Sequence, residues 1–220
     1  MSQKLEADGI LLSFGSRKIL SDIYIRCETG SITAILGRNG TGKSSLMNVI
    51  YGNLPALNKS VRINGTSILQ AFKRPDLLTY LPQFNFIPSF LSVKQVFSDF
   101  RLNYDDFEAL FPAFQSVYHS RIGKLSGGER RLLEVYLIIK AQSIFSMLDE
   151  PFSHVTPMQV EVLKVLIQKE KLTKGFFITD HLYHQVTDIS DRLYVLKDGV
   201  AHLAKSTADL ERFGYINGLV

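Results

Sequence analysis

Residues 31–52 read SITAILGRNGTGKSSLMNVIYG. Ile32 to Leu36 form a short apolar run of the kind that makes a buried strand. Gly37-Arg38-Asn39-Gly40-Thr41-Gly42-Lys43-Ser44 follow, with Ser45 next. Leu46, Val49 and Ile50 then recur at helical spacing. Strand, glycine-rich loop and helix in that order suit a phosphate group. Glycines let backbone N–H donors curl round the oxygens with no Cβ in the way. The helix start adds partial positive charge. Lys43 is placed to reach the β- and γ-phosphates of a nucleotide, and the Ser44 hydroxyl to ligand Mg²⁺. At average composition this spacing arises by chance in roughly 1% of chains this long. The flanking strand and helix make a chance turn rarer still, so the stretch is read as a nucleotide site.

A second stretch, Ser143 to Pro151, reads SIFSMLDEP. Ile144 to Leu148 have the pattern of a fully buried parallel strand that ends in Asp149 and Glu150. Adjacent residues of a strand point to opposite faces, so the two carboxylates can do different work. Asp149 is assigned to Mg²⁺, through water, and Glu150 to polarising an attacking water. Pro151 ends the strand because it has no N–H for the ladder. An acidic surface turn is the alternative for this pair alone; the phosphate loop in the same chain argues against it.

The rest of the chain narrows the class. With 220 residues and 45% hydrophobic composition it can build one sizeable core or two unequal lobes. Lys4, Glu6 and Asp8 interrupt the start before an apolar run forms, so no secretory leader is expected. No run approaches the roughly 18 apolar residues of a membrane span. The single cysteine, Cys27, excludes an internal disulfide or zinc cluster. These features point to the cytosol. The net charge of +4 is read as ordinary solubility, because no run of Lys and Arg supports a nucleic-acid or lipid surface.

A third stretch, Lys124 to Lys140, reads KLSGGERRLLEVYLIIK. From Glu129 it has helical spacing, with Leu132, Leu133, Tyr136 and Ile139 apolar. Ser126 is a good N-cap, yet Gly127 and Gly128 stand where the helix starts, and glycine costs a helix interior about 1 kcal/mol relative to alanine. The expectation is a bare, positively polarised helix start.

Leu125-Ser126-Gly127-Gly128-Glu129 resembles the signature sequence of ATP-binding cassette (ABC) proteins, and it lies between the phosphate loop and the Asp-Glu strand in that family's order. Tyr80-Leu81-Pro82-Gln83 resembles the glutamine loop, whose Gln touches Mg²⁺ and water and faces the transmembrane partner. Ile178-Thr179-Asp180-His181 resembles the switch histidine segment that contacts the γ-phosphate. Phe14 sits where the family places an aromatic that stacks on adenine. The resemblance runs over roughly residues 3–212.

The resemblance implies an α/β fold: a P-loop NTPase core, mostly a parallel sheet with flanking helices, an N-terminal antiparallel β subdomain and a small helical signature subdomain. Residues 1–220 are expected to form a single domain, with 1–83 and 141–220 in the core and β subdomain and 84–140 in the helical subdomain. The resemblance also implies ATP and Mg²⁺ as cofactors, with Glu150, His181, Gln83 and Lys43 catalytic and Ser44, Gln83 and Asp149 at the metal. Cassettes of this family pair head-to-tail, so that Ser126, Gly127, Gly128 and Glu129 of one subunit meet the γ-phosphate held by the other. The expected protein is the ATPase subunit of a transporter, at the inner face of the membrane, bound to an integral membrane permease. A homodimer is favoured, with a heterodimer open and no nucleic-acid partner. The alternatives are a soluble cassette acting on nucleic acid or ribosomes, or a weakly hydrolysing module.

Between Gln83 and the signature, Ser92 should cap a helix bearing Val93, Val96, Phe97 and Phe100. A second should begin at Asp105-Asp106 and end near Pro112. Phe84, Phe86, Phe90, Phe97, Phe100 and Phe107 are read mostly as core, with Phe84 to Phe90 a candidate docking groove. Asp198-Gly199 should turn a hairpin, and Ser206 or Thr207 should cap a short last helix, beyond which no regulatory domain is expected. One departure stands out: Ser153-His154-Val155-Thr156 replaces the family's usual Ser-Ala-Leu-Asp. Thr156 stands for an aspartate that links the two sites, and His154 adds a titratable group near the seam.

Overall fold

Along three strands of the first 63 residues buried positions recur about every second residue, the period of strands with one face on a core. In β1 (Lys4–Phe14) Leu5, Ala7, Ile10 and Leu12 are buried; in β2 (Arg17–Glu28) Leu20, Ile23, Ile25 and Cys27 are. With β4 (Asn58–Ile63) and β5 (Thr66–Ser67) they form an antiparallel sheet in the order β2-β1-β4-β5. The computed structural model describes residues 2–181 and 183–215.

The second sheet comprises β3 (Ile32–Leu36), β6 (Leu78–Leu81), β7 (Phe145–Asp149), β8 (Gly175–Thr179), β9 (Arg192–Lys197) and β10 (Val200–Ala204). Its order is β10-β9-β3-β8-β7-β6, parallel throughout except for β10. Every residue of β3, β6, β7 and β8 is buried, as strands covered on both faces must be. One face, with Ile35, Tyr80, Met147 and Phe177, packs against the antiparallel sheet and the helix α1 (Lys43–Tyr51). The other, with Ala34, Leu81, Leu148 and Ile178, packs under α4 (Gly127–Lys140) and α5 (Pro157–Glu170). Short helices α6 (Tyr183–Thr187) and α7 (Thr207–Arg212) complete the fold. Asp198 and Gly199 turn the β9–β10 hairpin with φ of 49° and 77°, the left-handed pair that a two-residue hairpin requires. Ser206 caps α7, and Asp209 returns a bond to its backbone.

The helical region contains α2 (Val93–Asp99), capped by Ser92 as expected, and α3 (Tyr104–Leu110). The latter begins before the acidic pair because Asn103 accepts from Asp105 N and supplies the cap. Phe97 and Phe107 are core, and Phe86 and Phe100 pack against it. Phe84 and Phe90, in the stretch read as either core or docking groove, are not core: they are 70% and 71% exposed. They sit in the irregular segment after β6, which offers no regular face to bury them.

Lys174 joins α4 to the sheet. It is buried beside the start of β8, and its Nζ donates to Ile139 O at 2.9 Å and to Ala141 O. It thus satisfies carbonyls that the end of α4 leaves without intrahelical partners. Burial pushes its ammonium down to about 8, below the unfolded value of about 10.4. Above pH 8 the folded state therefore binds this proton less than the unfolded chain does, and stability gains as pH rises towards 10. Cys27, which burial pushes up to about 12, acts in the opposite sense once the unfolded thiol ionises. Lys174→Met should lower stability by about 1–3 kcal/mol, the cost of unsatisfied carbonyls, and remove the Lys174 contribution to the pH slope. Urea unfolding of both proteins between pH 7 and 10 measures this; equal slopes would refute it.

Candidate functional site

In a parallel sheet, ligands bind beyond the carboxyl ends of the strands. Here β3 delivers Gly37, β6 delivers Gln83, β7 delivers Asp149 and Glu150, and β8 delivers Asp180 and His181. A cleft of about 520 Å³ lies at these ends, lined by Phe14, Arg17, Ile19, Asn39, Gly40, Gly42, Lys43, Ser44, Ser45, Gln83, Glu150 and His181. Phe14 is 52% exposed, so it belongs to the cleft and not to the core.

The loop is shaped for close approach. Gly42, at φ 102°, ends it; a Cβ there would lie 2.9 Å from Ile19 Cγ2. No side chain caps α1, whereas side-chain oxygens cap α2, α3, α4, α5 and α7. The first N–H groups of α1 are therefore free of a side-chain competitor. Lys43 is buried and donates to Gly37 O at 2.7 Å and Arg38 O at 3.3 Å. Burial lowers its pKa, while Glu150, Asp149 and Asp180 raise it. The Arg38 side chain leaves the cleft and donates to Gly214 O at 3.1 Å. Thr41 Oγ1 donates to Arg38 O, and with Arg38 it lines a separate hollow against Phe213 to Tyr215.

The two carboxylates are held differently. Asp149 is fully buried, its oxygens accepting from Thr179 Oγ1 at 2.6 Å and from Tyr80 Oη at 3.2 Å. Asn48 in turn donates to Tyr80 Oη. Glu150 is less buried and has φ 52°. Its Oε2 lies 3.7 Å from His181 Nδ1, which is 3.6 Å from Asp180 Oδ1.

Three neighbouring charged side chains of α4 hold the segment around Gln83. Arg131, 3% exposed, donates to Pro82 O at 2.7 Å, Asp149 O at 2.6 Å and Glu150 O at 2.9 Å. Glu134 Oε1 accepts from Phe86 N, Ile87 N and Arg130 Nε, each at 3.2 Å, and Arg130 also donates to Ile87 O. Burial pushes the Glu134 carboxyl above its ordinary range, against the pull of these donors. None of the three is marked as a site residue by the sequence. Charged residues within a helix spacing normally indicate a solvated face, and nothing in the spacing marks these as buried.

The start of α4 is not bare. Ser126 Oγ accepts from Glu129 N at 3.3 Å and Glu129 Oε2 accepts from Ser126 N at 2.7 Å, a reciprocal cap. Gly127 and Gly128 form its first turn, beginning before Glu129 as the cap dictates. A Cβ on Gly128 would meet His154 O at 2.9 Å, but one on Gly127 would meet nothing within 4 Å. None of Ser126, Gly127, Gly128 and Glu129 lines the cleft of its own chain. Thr156 caps α5 in the same reciprocal way with Gln159.

The family description "ABC transporter" matches residues 20–153. The chain belongs to the ABC transporter family. It is 29% identical over 216 residues to the lipopolysaccharide export system ATP-binding protein LptB of Escherichia coli K12, covering 90% of this chain and 89% of that one. It is 24% identical over 209 residues to the high-affinity branched-chain amino acid transport ATP-binding protein BraG of Pseudomonas aeruginosa, covering 89% of each. A solved structure titled "Structure of ATP binding subunit of ABC transporter" superposes with a TM-score of 0.78 at 18% identity, over 97% of this chain and 95% of that one. The cassette thus has the P-loop NTPase core with its antiparallel β subdomain that the sequence implied. Among the described residues no helix is long and apolar enough to cross a membrane.

The residues of this cassette suit Mg-ATP. A Cβ on Gly40 would meet nothing within 4 Å, and Ser44 in the cleft with the buried Asp149 would supply the hard oxygen donors that Mg²⁺ takes. Both Asp149 oxygens already accept hydrogen bonds, which favours contact through water. Arg131→Met should strip three backbone carbonyls of their donor and destabilise the cassette by about 2–4 kcal/mol. Arg131→Lys should recover little, because one ammonium cannot span the fork. Chemical denaturation decides this, and parental stability in Arg131→Met would remove the clamp.

Proposed function

We propose that this cassette binds and hydrolyses Mg-ATP as the energy-supplying subunit of a membrane transporter, acting head-to-tail with a second cassette. The observation that supports this best is the convergence in one cleft of Phe14, the α1 start with Lys43 and Ser44, Gln83, Glu150 and His181, while Ser126 to Glu129 stay outside it. Mg-ATP would supply the phosphoryl group, and its metal a divalent charge to offset the phosphate oxygens. Phe14 stacks on the base. Asn39 to Gly42 donate backbone N–H groups to the phosphates, and Gly37 lets the strand turn into that loop. Lys43 trades its loop carbonyls for phosphate oxygens. Ser44 and Asp149 hold the metal, Ser45 adds a hydroxyl at the helix start, and Gln83 orients water. Glu150 takes a proton from the attacking water, and His181, across the carboxylate, faces the γ-phosphate.

Gly127 supports the second half of the reading. Among the described residues nothing requires it to lack a side chain, so the open space suits a group arriving from outside, the phosphate of a neighbouring subunit. A second copy of this chain is the simplest partner. BraG and LptB are named for very different cargoes, so cargo choice falls to the permease. The subunit would then sit at the cytoplasmic face of the membrane, with exposed Phe84 and Phe90 available to the permease. Thr156 keeps the helix cap, so the substitution leaves α5 in place.

Glu150→Gln should retain ATP binding and slow hydrolysis by roughly 10²–10⁴-fold, the range for losing a general base. Full turnover would exclude Glu150 as the base. Gly127→Asp tests the pairing. An acidic residue in a first helical turn favours the helix dipole, so thermal stability should be kept or raised. Against a phosphate the same carboxylate costs several kcal/mol, so turnover should fall by about 100-fold or more. Parental turnover in a folded variant would mean that no phosphate approaches Gly127.

A further inference from the structure

The cleft contains a cation that neither the family motifs nor the reading above uses. Arg17 lines it, yet its guanidinium makes no side-chain hydrogen bond or ion pair among the described residues. Its placement is fixed by the backbone. Phe14 and Arg17 are register partners across the β1–β2 turn, and directly opposed residues of an antiparallel pair project from the same face. Residues two apart on a strand also share a face, so Ile19 follows Arg17 along the cleft wall while Lys18 projects away. Ile19 abuts the phosphate loop, since a Cβ on Gly42 would lie 2.9 Å from its Cγ2. The wall therefore runs from the aromatic Phe14, past Arg17, to Ile19 and Gly42.

The charge balance gives that position a purpose. Lys43 is already faced by Glu150, Asp149 and Asp180. The same three carboxylates also face the buried Arg131, so the two cations there are already met by protein carboxylates before any nucleotide adds its own negative charge. Among the described lining residues, Lys43 and Arg17 are the lysine and arginine present. A guanidinium stays charged at every working pH and offers a fork of donors to phosphate oxygens. With no protein partner to leave, Arg17 gives up no bond when it takes one. We infer that Arg17 is a further nucleotide ligand, a permanent cation that pairs with the phosphate chain at the point where the β subdomain meets the glycine loop.

This rests on the nucleotide reading of the cleft, so the test separates the two. Mg-ADP affinity is measured by calorimetry for the full chain, Arg17→Met, Arg17→Lys and Lys43→Ala, at about 0.05 M and about 1 M salt. Screening at 1 M shortens the reach of an exposed charge to about 3 Å. Arg17→Met should weaken binding about 5–10-fold at low salt, the loss should shrink to under about 2-fold at high salt, and Arg17→Lys should recover part of it. A loss that persists at high salt would overturn the proposal by showing that Arg17 acts through packing on Phe14 or the base. Unchanged affinity in Arg17→Met alongside a loss in Lys43→Ala would overturn it while leaving the nucleotide site standing. Unchanged affinity in both would overturn the nucleotide reading itself.

Discussion

The geometry of the cleft depends on one buried guanidinium. Arg131 leaves the signature helix and donates to the carbonyls of Pro82, Asp149 and Glu150. Strand ends carry carbonyls that no ladder completes, and those near a core must find donors. One planar fork meets three of them, which a lysine ammonium could not span. Two residues of the loop after Gln83 are held in addition by Glu134 and Arg130. The loop bearing Gln83, the strand end bearing the two carboxylates and the helix behind Ser126 are thereby tied into one unit.

The parallel sheet supplies the other half of the arrangement. Its strands bring their carboxyl ends to one edge, so segments remote in sequence meet there. Two helix starts are then treated in opposite ways. The first, α1, has a left-handed glycine for a cap and no side-chain acceptor, which leaves its N–H groups to a phosphate. The signature helix is closed by Ser126 and Glu129, yet keeps a glycine at 127 that its own packing does not require. The same chain thus carries one helix start without a side-chain cap and one with open space beside its first glycine.

Much of this was legible from residue order. The loop from Gly37 to Ser44, the strand ending in Asp149 and Glu150, the Ser92 cap and the Asp198-Gly199 turn are local patterns, each dictated by a backbone conformation or a burial period that neighbours in sequence create. Where reading went astray, the cause was long-range. Composition left Phe84 and Phe90 open between core and docking groove, and only the packing shows that the irregular segment carrying them leaves both exposed. The start of the signature helix looked bare because the return bond from Glu129 depends on a side-chain rotamer that spacing alone leaves open.

The sequence by itself determined the family, the strand-loop-helix phosphate seat and the identity of the acidic pair, because each is written in contiguous residues whose chemistry admits few backbones. Only the tertiary structure decided what Arg131, Glu134, Tyr80 and Thr179 do. Their partners lie 18 to 69 positions away in the chain, and a charged or hydroxyl side chain carries no local sign of being buried. Burial and register are properties of packed sheets, and packing brings together residues that the sequence keeps apart.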